Sequence, residues 1–198
     1  MTACGKEGYA ILDSGIWRDS DYNISSIHME DAESIRLWRN DQMDALRQCK
    51  KISEIEQREY FEKNVVSEFN SKAPKQILFR FCMQNSLIGY GGLVHLNWEN
   101  KRGEVSFLLE TSRTSNVSKY CDEFAIFLSL LKFVAFEHLH LHKLSTEAYA
   151  HRIHHVDTIE KTGFSRDGIL RDQTSIGGKW VDAIIASCLS EEYFQQSE

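Results

Sequence analysis

The sequence has few of the features that mark membrane, secreted or nucleic-acid-binding proteins. Its longest apolar-rich stretch, 124–136, is interrupted by Ser129 and Lys132 and is shorter than the ~20 residues that a membrane span requires. No basic start followed by an apolar run opens the chain, so we predict neither a secretory signal nor a membrane partner. With 23 basic and 29 acidic residues the net charge is -6, which disfavours nucleic acid as a partner. We therefore expect a cytoplasmic protein.

Metal and disulfide sites are not indicated either. The five cysteines are odd in number and widely spaced, and they form no Cys-x-x-Cys pair, so a zinc ribbon or a disulfide framework is not predicted. His138, His140 and His142 are close in sequence, but they straddle the end of a predicted helix and the start of a predicted strand. Their rings need not converge, and we predict no metal site.

Proline and glycine are scarce, and their positions separate the predicted elements. Pro74 is the single proline, and no glycine or proline occurs between Gly103 and Gly163. Ser53 and Glu56 form a capping-box pattern that begins a helix. Helices are predicted from 31 to about 40, at 53–69, 118–138 and 153–162, and strands at 22–27, 76–83, 87–96, 104–109, 143–149, 164–172 and 181–189. This order favours an α+β fold with a mixed, partly antiparallel sheet, formed by one domain over 21–198 after an N-terminal arm over 1–20.

Five strings in the chain resemble the GNAT superfamily of acyl-CoA-dependent N-acyltransferases. They lie at 87–93 (LIGYGGL), 135–149, 160–164 (EKTGF), 167–171 (DGILR) and 178–182 (GKWVD). The resemblance covers about 22–189 and is closest to the branch with ribosomal-protein-alanine and nucleotide-aminosugar acetyltransferases. It implies a mixed, mostly antiparallel sheet with splayed central strands and helices on both faces.

The resemblance implies acetyl-CoA as cosubstrate. In this family the pantetheine arm pairs with the edge of a splayed strand, and the pyrophosphate lies on amides at the next helix N-terminus. The usual glycines of the phosphate loop are replaced by Asn116, which we expect in left-handed backbone conformation, and Ser118, which we expect to cap the helix. The residues expected to bind the cosubstrate are Phe107, Leu108, Leu109, Glu110, Arg113, Asn116, Ser118, Lys119 and Arg152.

The resemblance also implies a catalytic base, and the family's catalytic acid is absent from its usual position in this chain. Glu104 stands where relatives often carry the glutamate that deprotonates the acceptor ammonium, since only a neutral amine attacks a thioester. A salt bridge with Arg102 or Lys101 is the alternative for this residue. The family's tyrosine acid for the leaving thiolate is replaced by Ile159, so another donor or solvent has to supply the proton. We expect His155, or its neighbour His154, to donate it. A purely structural role for these histidines is the alternative.

The string LWRN at 37–40 resembles GNAT enzymes that acetylate nucleotide-linked aminosugars. It implies that Trp38 stacks on a base or sugar and that Arg39 and Asn40 face the acceptor, the alternative being a core tryptophan beside a surface arginine. The function expected is acetyl transfer to a small-molecule amine, foremost an aminosugar nucleotide. A protein N-terminal acetyltransferase and a non-catalytic ligand-binding domain are the alternatives, and a homodimer is left open as the assembly.

Overall fold

The computed structural model describes residues 8–12 and 15–195, so the predicted arm over 1–20 is described only in part. The described residues form strands β1 (Ile16–Asp19), β2 (Tyr22–Ser26), β3 (Ile77–Met83), β4 (Ser86–Asn97), β5 (Arg102–Leu109), β6 (Lys143–Tyr149), β7 (Ser165–Ile176) and β8 (Lys179–Leu189). The helices are α1 (Ala32–Asp41), α2 (Glu54–Tyr60), α3 (Val117–Phe133), α4 (Ile153–Lys161) and α5 (Ser190–Gln195). None of these helices is long and apolar enough to cross a membrane.

The eight strands of the described chain form one sheet in the order β1-β2-β3-β4-β5-β6-β8-β7. Neighbouring strands are antiparallel except β5 and β6, which are parallel. Pairing between β5 and β6 stops at Glu104 and Ser145, beyond which the two strands separate. The predicted α+β fold, with a mostly antiparallel sheet and splayed central strands, is confirmed.

Alternation along β3 explains why the sheet is covered on both faces. Successive side chains of a strand point to opposite faces. Phe79 and Phe81 accordingly join a buried cluster with Phe127 of α3, whereas Leu78 joins a second cluster with Ile35 of α1. Helices on both faces, as predicted, are the consequence of this double-sided apolar strand.

Two helix starts show how local side chains set the element boundaries. At α2 the predicted capping box is confirmed, since the Glu56 N–H donates to Ser53 Oγ (3.3 Å) and the Ser53 N–H donates to the Glu56 carboxylate (2.8 Å). At α3 the expectation was wrong in two details. Asn116, rather than Ser118, is the cap, because its side chain accepts from the Lys119 N–H (3.0 Å), and its φ of -99° is extended rather than left-handed.

The sequence suggests an edge strand or an arm at 9–12, whereas the strand of the predicted arm is β1 (Ile16–Asp19), which pairs with β2. Trp17 of β1 is 6% exposed, and its indole N–H donates to His138 Nε2 (3.1 Å). Tyr9, upstream of β1, is also buried, and its hydroxyl accepts from the Leu78 N–H (3.0 Å). These described parts of 1–20 therefore pack on the domain.

Candidate active site

The separation of β5 from β6 leaves part of β5 with an open backbone edge. The Glu110 N–H donates to the Ile88 carbonyl of β4 (2.9 Å), and alternate residues of a strand direct their backbone groups to opposite sides. The backbone N–H and C=O groups of Leu109 and Phe107 therefore face the side where β6 has separated from β5. There the Leu109 carbonyl accepts from the Gln42 side-chain amide (2.9 Å). This edge can pair with an extended ligand.

Two neighbouring clefts lie at this open edge. The first, which we name the fork cleft, has a volume of about 280 Å³ between β5 and β6. The second, which we name the helix cleft, has a volume of about 350 Å³ and lies at the N-terminal ends of α3 and α4. Ala45, Arg152 and His155 line both, so the two clefts adjoin each other at these residues.

An arginine bridges two carboxylates in the fork cleft. Nη2 of Arg47, from the connection between α1 and α2, lies 2.5 Å from Oε1 of Glu104 on β5 and 3.5 Å from Oε2 of Glu147 on β6. The two glutamate side chains are only 22% and 16% exposed. The ion-pair partner of Glu104 is thus Arg47, rather than the Arg102 or Lys101 considered from the sequence.

A second polar group joins α3 to α4 between the clefts. The Tyr120 hydroxyl lies 2.7 Å from His155 Nδ1 and accepts from Nη2 of Arg152 (2.9 Å). The His155 ring is stacked on Phe124 with centroids 4.3 Å apart and an interplanar angle of 4°. Shielding from water, together with the nearby Arg152 charge, holds the pKa of His155 well below its usual value, so the imidazole is neutral. Burial raises the pKa of Tyr120.

The helix α4 carries no tyrosine at the position of the family's acid. Ile159, at the position of the family's tyrosine, is 2% exposed in the main core and carries no proton to donate. His154 is exposed and lines the helix cleft, whereas His155 reaches both clefts. Of the two histidines proposed from the sequence, His155 is the one that lines the fork cleft.

The residues expected to bind phosphate divide into two groups. Arg113 is 12% exposed, and it forms a short ion pair with Glu123, whose side chain is 1% exposed, and a longer one with Glu110 (3.6 Å). Burial raises the pKa of Glu123, and its Oε2 has no hydrogen-bond partner among the described residues. The Arg113 charge is therefore engaged by a buried carboxylate. Ser118 and Lys119 instead lie exposed at the start of α3.

The three residues expected at the acceptor lie in different environments. Trp38 is half-buried against the second apolar cluster. The Asn40 side chain accepts from the Ile52 N–H (2.8 Å) and donates to the Ile52 carbonyl (2.8 Å), so it fixes the chain that follows α1. Arg39 donates to the Tyr90 hydroxyl (2.8 Å) and is the one of the three that lines the fork cleft.

Several polar residues of the clefts were missed by the sequence analysis, among them Arg47, His95, Tyr120 and Glu147. His95 lies in an irregular part of β4, with a φ of +51°, and faces the fork cleft. The partners are far apart in sequence, 57 residues for Arg47 and Glu104 and 35 for Tyr120 and His155. Because no local spacing connects such residues, only the fold brings them together.

The chain that forms this open edge and its two clefts matches the model of a known family. A family model described as an acetyltransferase (GNAT) domain matches residues 24–185. The chain belongs to the GNAT acetyltransferases, which confirms the predicted superfamily, and it is an N-acetyltransferase that uses acetyl-CoA as acyl donor. The branch within the superfamily stays a prediction. No curated protein sequence matches the chain.

Solved structures of spermidine N-acetyltransferase from Vibrio cholerae share the fold. The dodecameric enzyme in an intermediate state has a TM-score of 0.76 and 18% identity, with 91% of this chain and 100% of that chain covered. The same enzyme in complex with CoA and spermine has a TM-score of 0.78 and 18% identity, with 89% and 99% covered. At this identity the similarity establishes the architecture.

Proposed function

We propose that the protein transfers the acetyl group of acetyl-CoA to a small cationic amine. The observation that carries this proposal is the pair of carboxylates, Glu104 and Glu147, that hold one guanidinium nitrogen of Arg47 in the fork cleft. Two carboxylates around one cationic nitrogen make a position suited to a protonated amine, because charge-assisted hydrogen bonds to carboxylates are strong. The polyamine substrates of the structurally similar Vibrio cholerae enzyme support the same class of acceptor.

Glu104 and Glu147 would have different roles toward the acceptor amine, one as base and one as binding group. In this proposal Glu104 accepts the proton of the ammonium group, directly or through one water, and so produces the neutral amine that attacks the thioester carbonyl. Glu147, across the cleft on β6, holds the positive charge of the acceptor until that proton has left. Arg47 has to withdraw before the amine can enter.

The acetyl-CoA site proposed here follows the open edge of β5. The pantetheine arm would pair with the backbone over 107–110, with Leu108 facing β4, and would continue through the helix cleft beside Arg152. The pyrophosphate would lie at the N-terminus of α3, near Asn116, Ser118 and Lys119, where free N–H groups and the helix dipole favour an anion. Arg113 would support this site indirectly, because its guanidinium is held by Glu123.

A nucleotide-linked aminosugar, expected from the sequence, is the second candidate acceptor. The observation in its favour is that Arg39, Arg47 and Arg152 all line the fork cleft, and guanidinium groups bind phosphate well. A peptide N-terminus is less suited to this cleft. The Arg47 ion pairs hold the connection between α1 and α2 over the cleft, where an extended peptide would have to lie.

The experiment that separates these acceptors measures free thiol released from acetyl-CoA with a matched panel. The panel contains a polyamine, a simple monoamine, a nucleotide-linked aminosugar and a peptide with a free N-terminus. We expect the highest kcat/KM with the polyamine, and a higher KM for it in Glu147→Gln but not in the control Glu99→Gln, whose side chain is exposed in a turn. Highest kcat/KM with the aminosugar nucleotide would overturn the proposal.

We also propose that the protein self-associates. Apolar side chains are exposed on the hairpin of β7 and β8, where Ile169 is 53% and Trp180 is 67% exposed. Such a surface suits contact with a second copy, and the similar Vibrio cholerae structure is dodecameric. Sedimentation of the protein and of Trp180→Ser tests this assignment, and the homodimer and the cytoplasmic location stay predictions.

A further inference from the structure

Acetyl transfer ends with a chemical requirement that the family position in this chain does not meet. When the C–S bond breaks, sulfur leaves with the electron pair and becomes a thiol only if a proton reaches it. Ile159 stands where the family's tyrosine acid would be, and it is buried in the main core. The proton must therefore come from another group or from solvent, and the polar groups that line both clefts are the candidates within the described chain.

The contacts among Tyr120, Arg152 and His155 allow a chain of hydrogen bonds that runs from Arg152 through Tyr120 to His155. A guanidinium can only donate, so Arg152 Nη2 donates to the Tyr120 oxygen (2.9 Å). The Tyr120 hydroxyl proton is then free to go to His155 Nδ1, 2.7 Å away. With this direction Nδ1 of the neutral His155 is the acceptor and the ring proton resides on Nε2. Tyr120 and Arg152 then select one tautomer of His155.

We propose that Tyr120 is a positioning residue that relays a proton through His155 to the departing sulfur. His155 lines both clefts at the point where they join, which is where a molecule extending from the helix cleft would present its thioester to the fork cleft. The phenol that this family carries on the helix of α4 is replaced, in this assignment, by a phenol on α3.

The step balances as follows. The C–S bond breaks and sulfur keeps its electron pair, while the proton of His155 Nε2 forms the S–H bond. Nδ1 takes the hydroxyl proton of Tyr120, and the negative charge resides on the phenolate beside the Arg152 guanidinium. Glu104 has already taken one proton of the ammonium group and releases it to solvent. The second proton that the nitrogen loses as the amide forms also passes to solvent, and solvent returns one proton to the relay. The relay depends on acetyl-CoA alone and not on which amine is the acceptor.

The surroundings keep this relay ordered. The parallel stack on Phe124, at a centroid distance of 4.3 Å, fixes the plane of the His155 ring. A neutral imidazole can pass one proton on as it receives another, whereas a protonated imidazole would leave Nδ1 unable to accept from Tyr120. The low pKa of His155 therefore favours the relay over independent action of this histidine as an acid.

The first test replaces the hydroxyl of Tyr120. Tyr120→Phe is expected to lower kcat about 10²–10⁴-fold, the range for a lost general acid, with acetyl-CoA affinity by calorimetry within twofold of the wild type. Tyr60→Phe is the matched control, because that hydroxyl bonds to Gln76 outside both clefts. Wild-type kcat in folded Tyr120→Phe would overturn the proposal.

The second test reads the tautomer directly and needs no turnover. Nitrogen NMR of the free protein is expected to show His155 neutral with the proton on Nε2, and Tyr120→Phe is expected to give a mixture of tautomers. A purely structural hydroxyl would leave the tautomer of His155 unchanged in that variant. A wild-type signal with the proton on Nδ1 would contradict the assigned direction of the hydrogen bond.

A third variant keeps the proposal testable if Tyr120→Phe does not fold. Difluorotyrosine at position 120 retains the hydroxyl and lowers its pKa, so the alkaline limb of the kcat profile is expected to shift to lower pH. The charged and titratable groups facing Tyr120 are Arg152 and His155 of α4 and Cys121 of α3, while Asp44, His151 and His154 line the same cleft. An alkaline limb unmoved by fluorination would overturn the relay.

Discussion

Removal of the Arg47 side chain is expected to tighten binding of a cationic acceptor rather than weaken it. In the structure Nη2 of Arg47 lies between Glu104 and Glu147, in the position that we propose for the ammonium nitrogen of the acceptor. Every acceptor molecule must therefore displace this guanidinium before it can bind. In Arg47→Ala the two carboxylates are free from the start.

The magnitude follows from the exposure of the groups. Arg47 is 49% exposed, so solvent screens both of its contacts. Partly exposed ion pairs contribute about 0.2–1 kcal/mol each, which makes about 0.4–2 kcal/mol for the two contacts together. Because 1.4 kcal/mol corresponds to a factor of ten, the KM for the cationic amine should fall about 2- to 30-fold.

The assay is initial-rate measurement of thiol release across acceptor concentrations, at low and at high salt. The KM difference between Arg47→Ala and the wild type should narrow as salt rises, because ions screen exposed charges. Arg58→Ala is the control, since its guanidinium pairs with Glu62 on the surface of α2. A KM that rises in Arg47→Ala would refute the reasoning and show that Arg47 binds the acceptor.

Three further outcomes are expected. Glu104→Gln should lower kcat about 10²–10⁴-fold with calorimetric acetyl-CoA affinity unchanged, and the loss should shrink as pH rises and more amine is neutral; normal turnover at neutral pH would contradict the base. Arg113→Ala should lower the free energy of unfolding in denaturant titrations by about 3–5 kcal/mol, because Glu123 loses its buried partner. Burial raises the pKa of Glu123, so that deficit should grow from pH 5 to pH 8 as the carboxyl ionises, and a deficit independent of pH would contradict this cause. Trp38→Ala should lower the melting temperature, at a cost below the about 3–5 kcal/mol of a fully buried tryptophan, and spare acetyl-CoA affinity; an unchanged melting temperature with a raised acceptor KM would return Trp38 to the acceptor site.

Much of the architecture is predictable from the sequence because it depends on local periodicity. The capping box at Ser53 and the long interval without glycine or proline before Gly163 mark elements that the structure contains. β1 escaped prediction because it is a strand of four residues with a single buried side chain, Trp17, which is too short for an alternating pattern. The cap at Asn116 was misjudged because helix capping and a left-handed turn both favour asparagine.

The candidate site was less predictable, for a different reason. Glu104 and His155 were found through their positions relative to family strings, and the structure places both in the fork cleft. Their partners Arg47 and Tyr120 carry no local signal, because each reaches its neighbour across a different pair of elements. For Trp38 a local signal was present but ambiguous. The motif at 37–40 suggested an acceptor contact, whereas the apolar spacing of α1 places Trp38 on the helix face that packs against an apolar cluster.

The divergence of β5 from β6 also leaves a line along which the two parts of the sheet are joined by few hydrogen bonds, and we name this line the seam. The strands on its two sides share backbone hydrogen bonding only at the three residue pairs that end with Glu104 and Ser145, within the described chain. A molecule that lies along the seam and binds the native state alone raises the free energy of unfolding by about 2.7 kcal/mol at a concentration of one hundred times its Kd. We therefore expect the lifetime of this protein against proteolysis to lengthen as the supply of acetyl-CoA rises.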